Sequence, residues 1–208
     1  MMQMGGFRKK FFRTIFSISI IYIFSTDVVL SKNDTLKLLK DYLGDIRTLQ
    51  ARFSQTDYMG EIMTGDLFLK KPGKIRFSYD PPHYLQIVSK QQAVLIFDPK
   101  NGGSGPLTYP LHSTPLGFLI KSDLSIFINE NGESLEIGDL IIFKVRNPQY
   151  NLSVEFNKNP VSLIGWEFEN QMGEIIKIRL NNIQKNNYIS DEIFKTDKDF
   201  EIFRKQQG

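Results

Sequence analysis

A few side chains in this sequence have the types and spacing that acid–base or metal chemistry requires. Glu167 and Glu169 are two residues apart on one face of a predicted strand, and paired carboxylates can cleave glycosidic bonds. Both alternate with aromatic residues, which is the simpler pattern of a polar strand face. His83 and His112 lie far apart, without acidic neighbours at the spacing of metal ligands. These residues therefore favour structural roles over an active site.

Motifs for a nucleophile or a cofactor are missing from the sequence. Ser104 lies in a glycine-rich stretch, but a nucleophile elbow needs glycine two residues later, where Pro106 stands. With no cysteine, the chain has no thiol nucleophile, disulfide, cysteine-based zinc site or lipid-modified cysteine. No phosphate-binding loop or dinucleotide fingerprint occurs. We predict that the protein is not an enzyme and holds no cofactor or metal.

The basic side chains suggest anion binding only at first sight. The net charge of +3 comes from the first 31 residues, because without them the chain carries 22 basic and 22 acidic residues. A nucleic-acid partner is therefore not expected, since such domains normally present a basic face. Lys70, Lys71, Lys74 and Arg76 cluster around a predicted turn. They fit either an anion site or the solvated tip of a hairpin.

The N-terminal segment has the pattern of a secretory signal peptide. Basic residues between 8 and 13 precede an apolar run of ten residues, 15–24, which is short for a membrane-spanning helix. Val29 and Ser31 are small residues at the positions that precede a cleavage site before Lys32. We predict a cleaved signal peptide at 1–31 and one exported domain at 32–208, with an uncleaved anchor as the alternative.

The elements of the exported domain change from one helix to many strands. Leucine and isoleucine recur every three or four residues over 33–50, including Leu39 and Leu43, which predicts an amphipathic helix. Thr114-Pro115-Leu116 begins a short helix that contains Leu119, and 123–129 is a third short helix or a turn. Apolar alternation predicts about ten strands, and the charged segment 195–208 is expected to fray. The fold class is mainly β with α: a curved antiparallel sheet or open barrel that is covered by helices.

The clearest strand pair surrounds the turn at residues 71–74. Its apolar positions alternate with polar ones on both sides of the turn: Leu67, Leu69, Ile75, Phe77 and Tyr79. Such a stripe is normally part of a core. The pattern leaves open whether these side chains fill a core or line a cavity.

The same residues carry a resemblance to a known family. The central block reads Gly65-x-Leu67-x-Leu69-Lys70-Lys71-Pro72-Gly73-Lys74-Ile75-Arg76-Phe77-x-Tyr79, followed by Pro81-Pro82. Further matches are Leu49-x-Ala51-x-Phe53-x-Gln55, Val88, Asp98-Pro99, Thr114-Pro115-Leu116, Ile189 and Phe194. Over about 36–195 the chain resembles the periplasmic outer-membrane lipoprotein carriers of the LolA type.

The resemblance implies a half-closed barrel of about eleven antiparallel strands with a helical lid. It implies a monomeric periplasmic carrier that takes lipoproteins from an inner-membrane ABC transporter and delivers them to an outer-membrane receptor. Their acyl chains would bind an apolar cavity, whose predicted lining is Leu39, Leu43, Leu67, Leu69, Ile75, Phe77 and Tyr79. The predicted lid residues are Leu116 and Leu119.

Lys71 takes the place of an arginine that, in many members of the family, donates hydrogen bonds to lid carbonyls in the closed state. It is therefore the predicted lid latch. A lysine has three donors on a flexible stem, whereas arginine has a planar fork.

A periplasmic regulator that senses lipoproteins with the same barrel is the alternative function.

Overall fold

A computed structural model describes residues 32–100, 105–120, 132–146, 148 and 150–205. The predicted signal peptide and the short helix or turn at 123–129 lie outside these residues, as does Ser104. The helices are α1 (Lys32–Asp45), α2 (Gly117–Ile120) and α3 (Asp197–Lys205), with 3-10 turns at Leu111–Ser113 and Asp191–Phe194. The strands are β1 (Thr48–Thr56), β2 (Ile62–Lys70), β3 (Lys74–Tyr79), β4 (Gln86–Lys90), β5 (Ala93–Phe97), β6 (Leu107–Pro110), β7 (Glu133–Ile137), β8 (Leu140–Arg146), β9 (Tyr150–Asn157), β10 (Ser162–Asn170) and β11 (Ile175–Lys185).

The eleven strands form one antiparallel sheet in the order β6-β5-β4-β3-β2-β1-β11-β10-β9-β8-β7. Neighbours in the sheet are neighbours in sequence, except that β1 pairs with β11 and so joins the two halves. The strands β6 and β7 are the two edges, and the sheet does not close on itself. This confirms the predicted fold class, a mainly β protein with an open antiparallel barrel.

The sheet is strongly curved. Phe77 on β3 and Trp166 on β10 are separated by three strands, so in a flat sheet they would stand about 19 Å apart. Their ring centroids lie 6.3 Å apart in an edge-to-face arrangement. The sheet therefore rolls around its inner face, the face that carries one continuous apolar core from both halves and from α1 and α2.

The first helix is shorter than its periodicity predicts. It ends at Asp45, and Leu49 lies on β1 with Ala51 and Phe53, all three of them buried. Leu49 continues the helical spacing from Ile46 and also begins the two-residue alternation of β1. Because the two periods coincide at this residue, the sequence pattern could not locate the end of the helix.

The C-terminal segment forms a helix over Asp197–Lys205 that packs on the sheet, so the expected fraying is wrong for 195–205, while 206–208 lie outside the described residues. It crosses the outer face of the sheet, where Arg76 on β3 forms an ion pair with Asp199 on α3. Phe200 packs edge-to-face on Phe97 of β5, and Thr196 is buried. Its charged composition predicted fraying, but Asp199 and Phe200 anchor it to the sheet.

Candidate functional site

The predicted cavity residues lie together on the inner face of the sheet. Residues 67 and 69 of β2 pair directly with Phe77 and Ile75 of β3, and all of them point to the same side. The helix residues Leu39 and Leu43 belong to the same core cluster. The structure thus brings together every predicted lining residue, including Tyr79. Whether this surface receives a ligand stays a prediction.

The interior is filled by side chains in this state. Each predicted lining residue exposes 6% or less of its surface. The short helix α2 supplies four consecutive buried residues, Gly117 to Ile120, and Phe118 packs edge-to-face on Trp166. Leu116 and Leu119 are buried in the same cluster. The helices α1 and α2 take no part in the strand hydrogen bonds, so the hydrogen-bond ladder of the sheet does not depend on them.

The turn between β2 and β3 makes a hydrogen bond to the C-terminal end of each of the two helices. The ammonium group of Lys71 donates a hydrogen bond to the carbonyl oxygen of Leu43 in the last turn of α1, at 2.7 Å. The backbone nitrogen of Gly73 donates to the carbonyl oxygen of Ile120 at the end of α2, at 2.9 Å. The last carbonyls of a helix lack partners within it and carry partial negative charge, so a cation is a favourable partner there.

The environment of Lys71 is unfavourable for its charge. Burial lowers the pKa of the Lys71 ammonium below its ordinary value. The backbone nitrogen of Lys71 also donates a hydrogen bond to the carbonyl oxygen of Arg47, at 2.8 Å, which fixes the position of the Lys71 backbone. The structure therefore places Lys71 at a carbonyl of α1, which carries the predicted lining residues Leu39 and Leu43, and not at the predicted lid residues Leu116 and Leu119. That this contact works as a latch is a prediction, argued in the Discussion.

The other end of α1 has its own polar anchor. Thr35 donates a hydrogen bond to the carboxylate of Glu136 on β7, and Lys158 forms an ion pair with the same carboxylate at 2.8 Å. The pKa of Glu136 is held below its usual value mainly by the hydrogen bond from Lys158 and, to a smaller extent, by the one from Thr35. In the middle of α1, the hydroxyl of Tyr42 accepts a hydrogen bond from the backbone nitrogen of Leu163, at 3.0 Å.

The anchor at Glu136 predicts a pH dependence. Because its pKa is lower in the folded protein, the contact stabilises the fold above about pH 4.5 and is lost as the pH falls below that value. Glu136→Gln should reduce the free energy of unfolding by up to about 1 kcal/mol at pH 7 and by less at pH 3. Denaturant titrations at both pH values measure this. An equal loss at both would contradict the assignment.

The basic quartet binds parts of its own chain. Lys70 and Lys74 both form ion pairs with Asp191, at 2.7 and 3.0 Å, and Arg76 pairs with Asp199. Lys70 and Lys74 remain 31% and 42% exposed, as at a solvated hairpin tip, but both are paired within their own chain. The acidic partners of the quartet follow more than 110 residues later in the chain, so no local pattern could reveal them.

The remaining candidates for chemistry have structural partners. Glu167 forms an ion pair with Lys177 at 3.1 Å, and Glu169 accepts a hydrogen bond from Asn151 at 3.1 Å. His83 lies 3.6 Å from Glu61. Across the described ranges, no group of three or more potential ligands could hold a metal ion. In the same residues, no helix is both long and apolar enough to cross a bilayer.

Sequence comparison identifies the family. The model for "Outer membrane lipoprotein carrier protein LolA" matches residues 44–197, about three quarters of the chain. The chain belongs to the LolA family. This match spans the sheet from β1 to the 3-10 turn before α3 and includes the turn that holds both helices. Proteins of this family are carriers of outer-membrane lipoproteins.

Individual relatives are distant. An outer-membrane lipoprotein carrier protein of Legionella pneumophila is 24% identical over 85% of this chain and 91% of its own length. An uncharacterized protein of Rickettsia prowazekii is 28% identical over 83% of this chain and 81% of its own length. A crystal structure of a LolA superfamily protein from Nitrosomonas europaea covers 82% of this chain and 100% of its own at 11% identity, with a TM-score of 0.46.

Three parts of this LolA-family site escaped the sequence analysis. The first is Phe118, and the second is the carbonyl of Leu43, which depends on where the helix ends. The third is Trp166, whose place in the interior follows from the curvature of the sheet. The signal for Trp166 was present, because the only tryptophan of the chain falls on the apolar side of a predicted strand.

Proposed function

We propose that the protein is a periplasmic carrier that binds the acyl chains of lipoproteins in its interior. Residues 1–31 act as the signal peptide, and 32–208 form the carrier domain, which works as a monomer. It receives outer-membrane-destined lipoproteins from an inner-membrane ABC transporter and passes them to an outer-membrane receptor. The proposal rests on one observation: two helices cover the apolar inner face of the sheet, and the ends of both are hydrogen-bonded to the turn that contains Lys71 and Gly73.

The energetics agree with such a role. Transfer of one methylene group out of water is worth about 0.8 kcal/mol, so an acyl chain of about 16 carbons is worth about 13 kcal/mol. Such a chain does not cross an aqueous compartment unprotected. The inner face offers it a replacement for the bilayer when α1 and α2 move aside, and they cover the apolar surface again once the chain has left.

The direct test is binding of a synthetic triacylated lipopeptide, measured by native mass spectrometry on the protein from Lys32 onward. We expect a one-to-one complex that survives removal of detergent. A peptide of the same sequence without acyl chains is the control and should not bind. Failure of the acylated peptide to bind the folded protein would contradict the proposal.

A charge placed on the inner face should abolish this binding. Phe77 is 2% exposed and packs on Phe53 and Trp166, so Phe77→Glu puts a carboxylate where the acyl chain would lie. We expect a loss of at least about a hundredfold in lipopeptide affinity, which corresponds to about 2.7 kcal/mol.

The matched control is Ser78→Glu, which adds the same charge one residue later on the outer face. It should bind the lipopeptide normally. Phe77→Leu keeps the position apolar and should retain most of the affinity. Circular dichroism establishes that each variant is folded, and normal binding by a folded Phe77→Glu protein would refute the assignment of Phe77.

A further inference from the structure

Among the described residues, the interior holds one polar group without a hydrogen-bond partner. The indole nitrogen of Trp166 is buried and makes no hydrogen bond to any described residue. The residue exposes 0% of its surface. Buried polar groups are nearly always paired, because an unmade hydrogen bond leaves the cost of desolvation uncompensated. This N–H donor therefore calls for an explanation.

Other buried polar side chains have hydrogen-bond partners. The hydroxyl of Tyr79 donates to the side-chain oxygen of Gln55 at 2.6 Å, and Ser89 donates to the carbonyl oxygen of Gly73 at 2.7 Å. Within the described residues, only one other buried side-chain atom lacks a hydrogen bond, a guanidinium nitrogen of Arg179. That nitrogen lies 2.7 Å from the carboxylate of Glu155, which compensates it.

None of the described residues that pack on Trp166 accepts a hydrogen bond from its indole nitrogen. Its neighbours across the strands, Val154 and Ile178, are aliphatic. The rings of Phe118 and Phe77 lie edge-to-face with the indole, with centroids at 5.5 and 6.3 Å. An aromatic ring is at best a weak acceptor. Since Phe118 belongs to α2, whatever replaces this helix will lie directly against the indole.

We infer that the indole N–H of Trp166 donates a hydrogen bond to an acyl-ester carbonyl of the bound cargo. The inference rests on the proposed carrier function and names the group of the cargo that is recognised. A hydrocarbon chain has no acceptor, whereas the ester that joins each chain to glycerol has one. A single donor in an apolar interior thus distinguishes an acyl ester from plain hydrocarbon and sets how deeply the chain enters.

The test compares two ligands that differ only in the carbonyl. One is a diacylated lipopeptide with palmitoyl esters and a free amino terminus, and the other is its dialkyl ether analogue. Calorimetric titration of the wild-type protein should show about tenfold tighter binding of the ester, the size of one net hydrogen bond. Trp166→Phe keeps the ring and removes the donor, so it should bind both ligands with similar affinity.

A spectroscopic measurement on the wild-type protein makes the test independent of how the variant folds. Because Trp166 is the only tryptophan, a ¹⁵N-indole label gives a single Nε1–H resonance. We expect a downfield proton shift with the ester ligand and a smaller one with the ether. In the infrared spectrum, the C=O stretching band of a ¹³C-labelled ester ligand should move to lower wavenumber when the ligand binds.

The outcomes separate this inference from the proposed function. Equal wild-type affinities for ester and ether, without a shift of the indole proton, would overturn the role of Trp166 and leave the carrier function standing. Binding of neither ligand would overturn both. A third titration with a diester phosphatidylglycerol distinguishes the source of the carbonyl: binding tighter than that of the lipopeptide would overturn the assignment to a lipoprotein.

Discussion

Replacing Lys71 by leucine should make the protein hold its cargo more tightly and release it more slowly. The interior is filled when α1 and α2 are in place, so an acyl chain binds only the fraction of molecules in which they have moved. The apparent affinity for the acyl chain is therefore the affinity of the open molecules multiplied by the fraction of molecules that are open. Lys71 stabilises the closed arrangement through its hydrogen bond to the carbonyl of Leu43.

The expected size follows from that bond. A hydrogen bond to a charged group contributes about 1.5–3 kcal/mol, so its loss should raise lipopeptide affinity by about tenfold or more. Native mass spectrometry or calorimetry measures the affinity, and transfer to acceptor vesicles that carry the outer-membrane receptor measures release. Lys71→Arg is the control, because it keeps a donor at this position, and it should behave like the wild type.

Stability provides an internal check on this prediction. The pKa of Lys71 is lowered because its charge is partly removed from water, and leucine removes that cost together with the hydrogen bond. Because the closed arrangement is the folded state that unfolds, the loss that raises affinity should also lower the midpoint of thermal unfolding, and relief of the desolvation cost keeps both changes at the lower end of the expected range. Unchanged binding and unchanged transfer in Lys71→Leu would refute the latch.

Removing the carboxylate of Asp199 should destabilise the whole protein. The carboxylate of Asp199 accepts two hydrogen bonds from the guanidinium of Arg76, at 2.5 and 2.9 Å, and the two side chains are only 5% and 13% exposed. Asp199→Ala leaves a buried cation without its main partner, which costs about 3–5 kcal/mol. Denaturant unfolding measures this loss, and proteolysis should cleave the C-terminal segment first.

A matched control lies on the same segment. Glu192 and Lys195 form an ion pair in which both side chains are largely exposed. Such pairs contribute little, so Glu192→Ala should change the free energy of unfolding far less than Asp199→Ala does. Similar losses in the two variants would contradict the view that the buried pair anchors the segment. The double variant Arg76→Met, Asp199→Leu should recover part of the stability, since it leaves no buried charge.

Much of this molecule followed from local sequence patterns. The alternation on either side of residues 71–74 predicted the β2–β3 hairpin, and the turn begins and ends where proline and glycine indicated. The leucine spacing predicted a helix that presents Leu39 and Leu43 to the core. These features depend on the two-residue period of strands and the 3.6-residue period of helices, which neighbouring residues establish among themselves.

The sequence alone thus determined a strand-rich domain, its apolar faces, a basic turn and a helix whose apolar face needs a partner. Only the tertiary structure decided what those faces and charges meet. Sheet curvature brings Trp166 to Phe77, the end of α1 presents the Leu43 carbonyl to Lys71, and the returning chain neutralises Arg76 with Asp199. Each of these contacts joins residues at least 28 positions apart. The reason is physical: periodicity reports which side of an element is apolar, whereas distant pairing depends on how the elements pack.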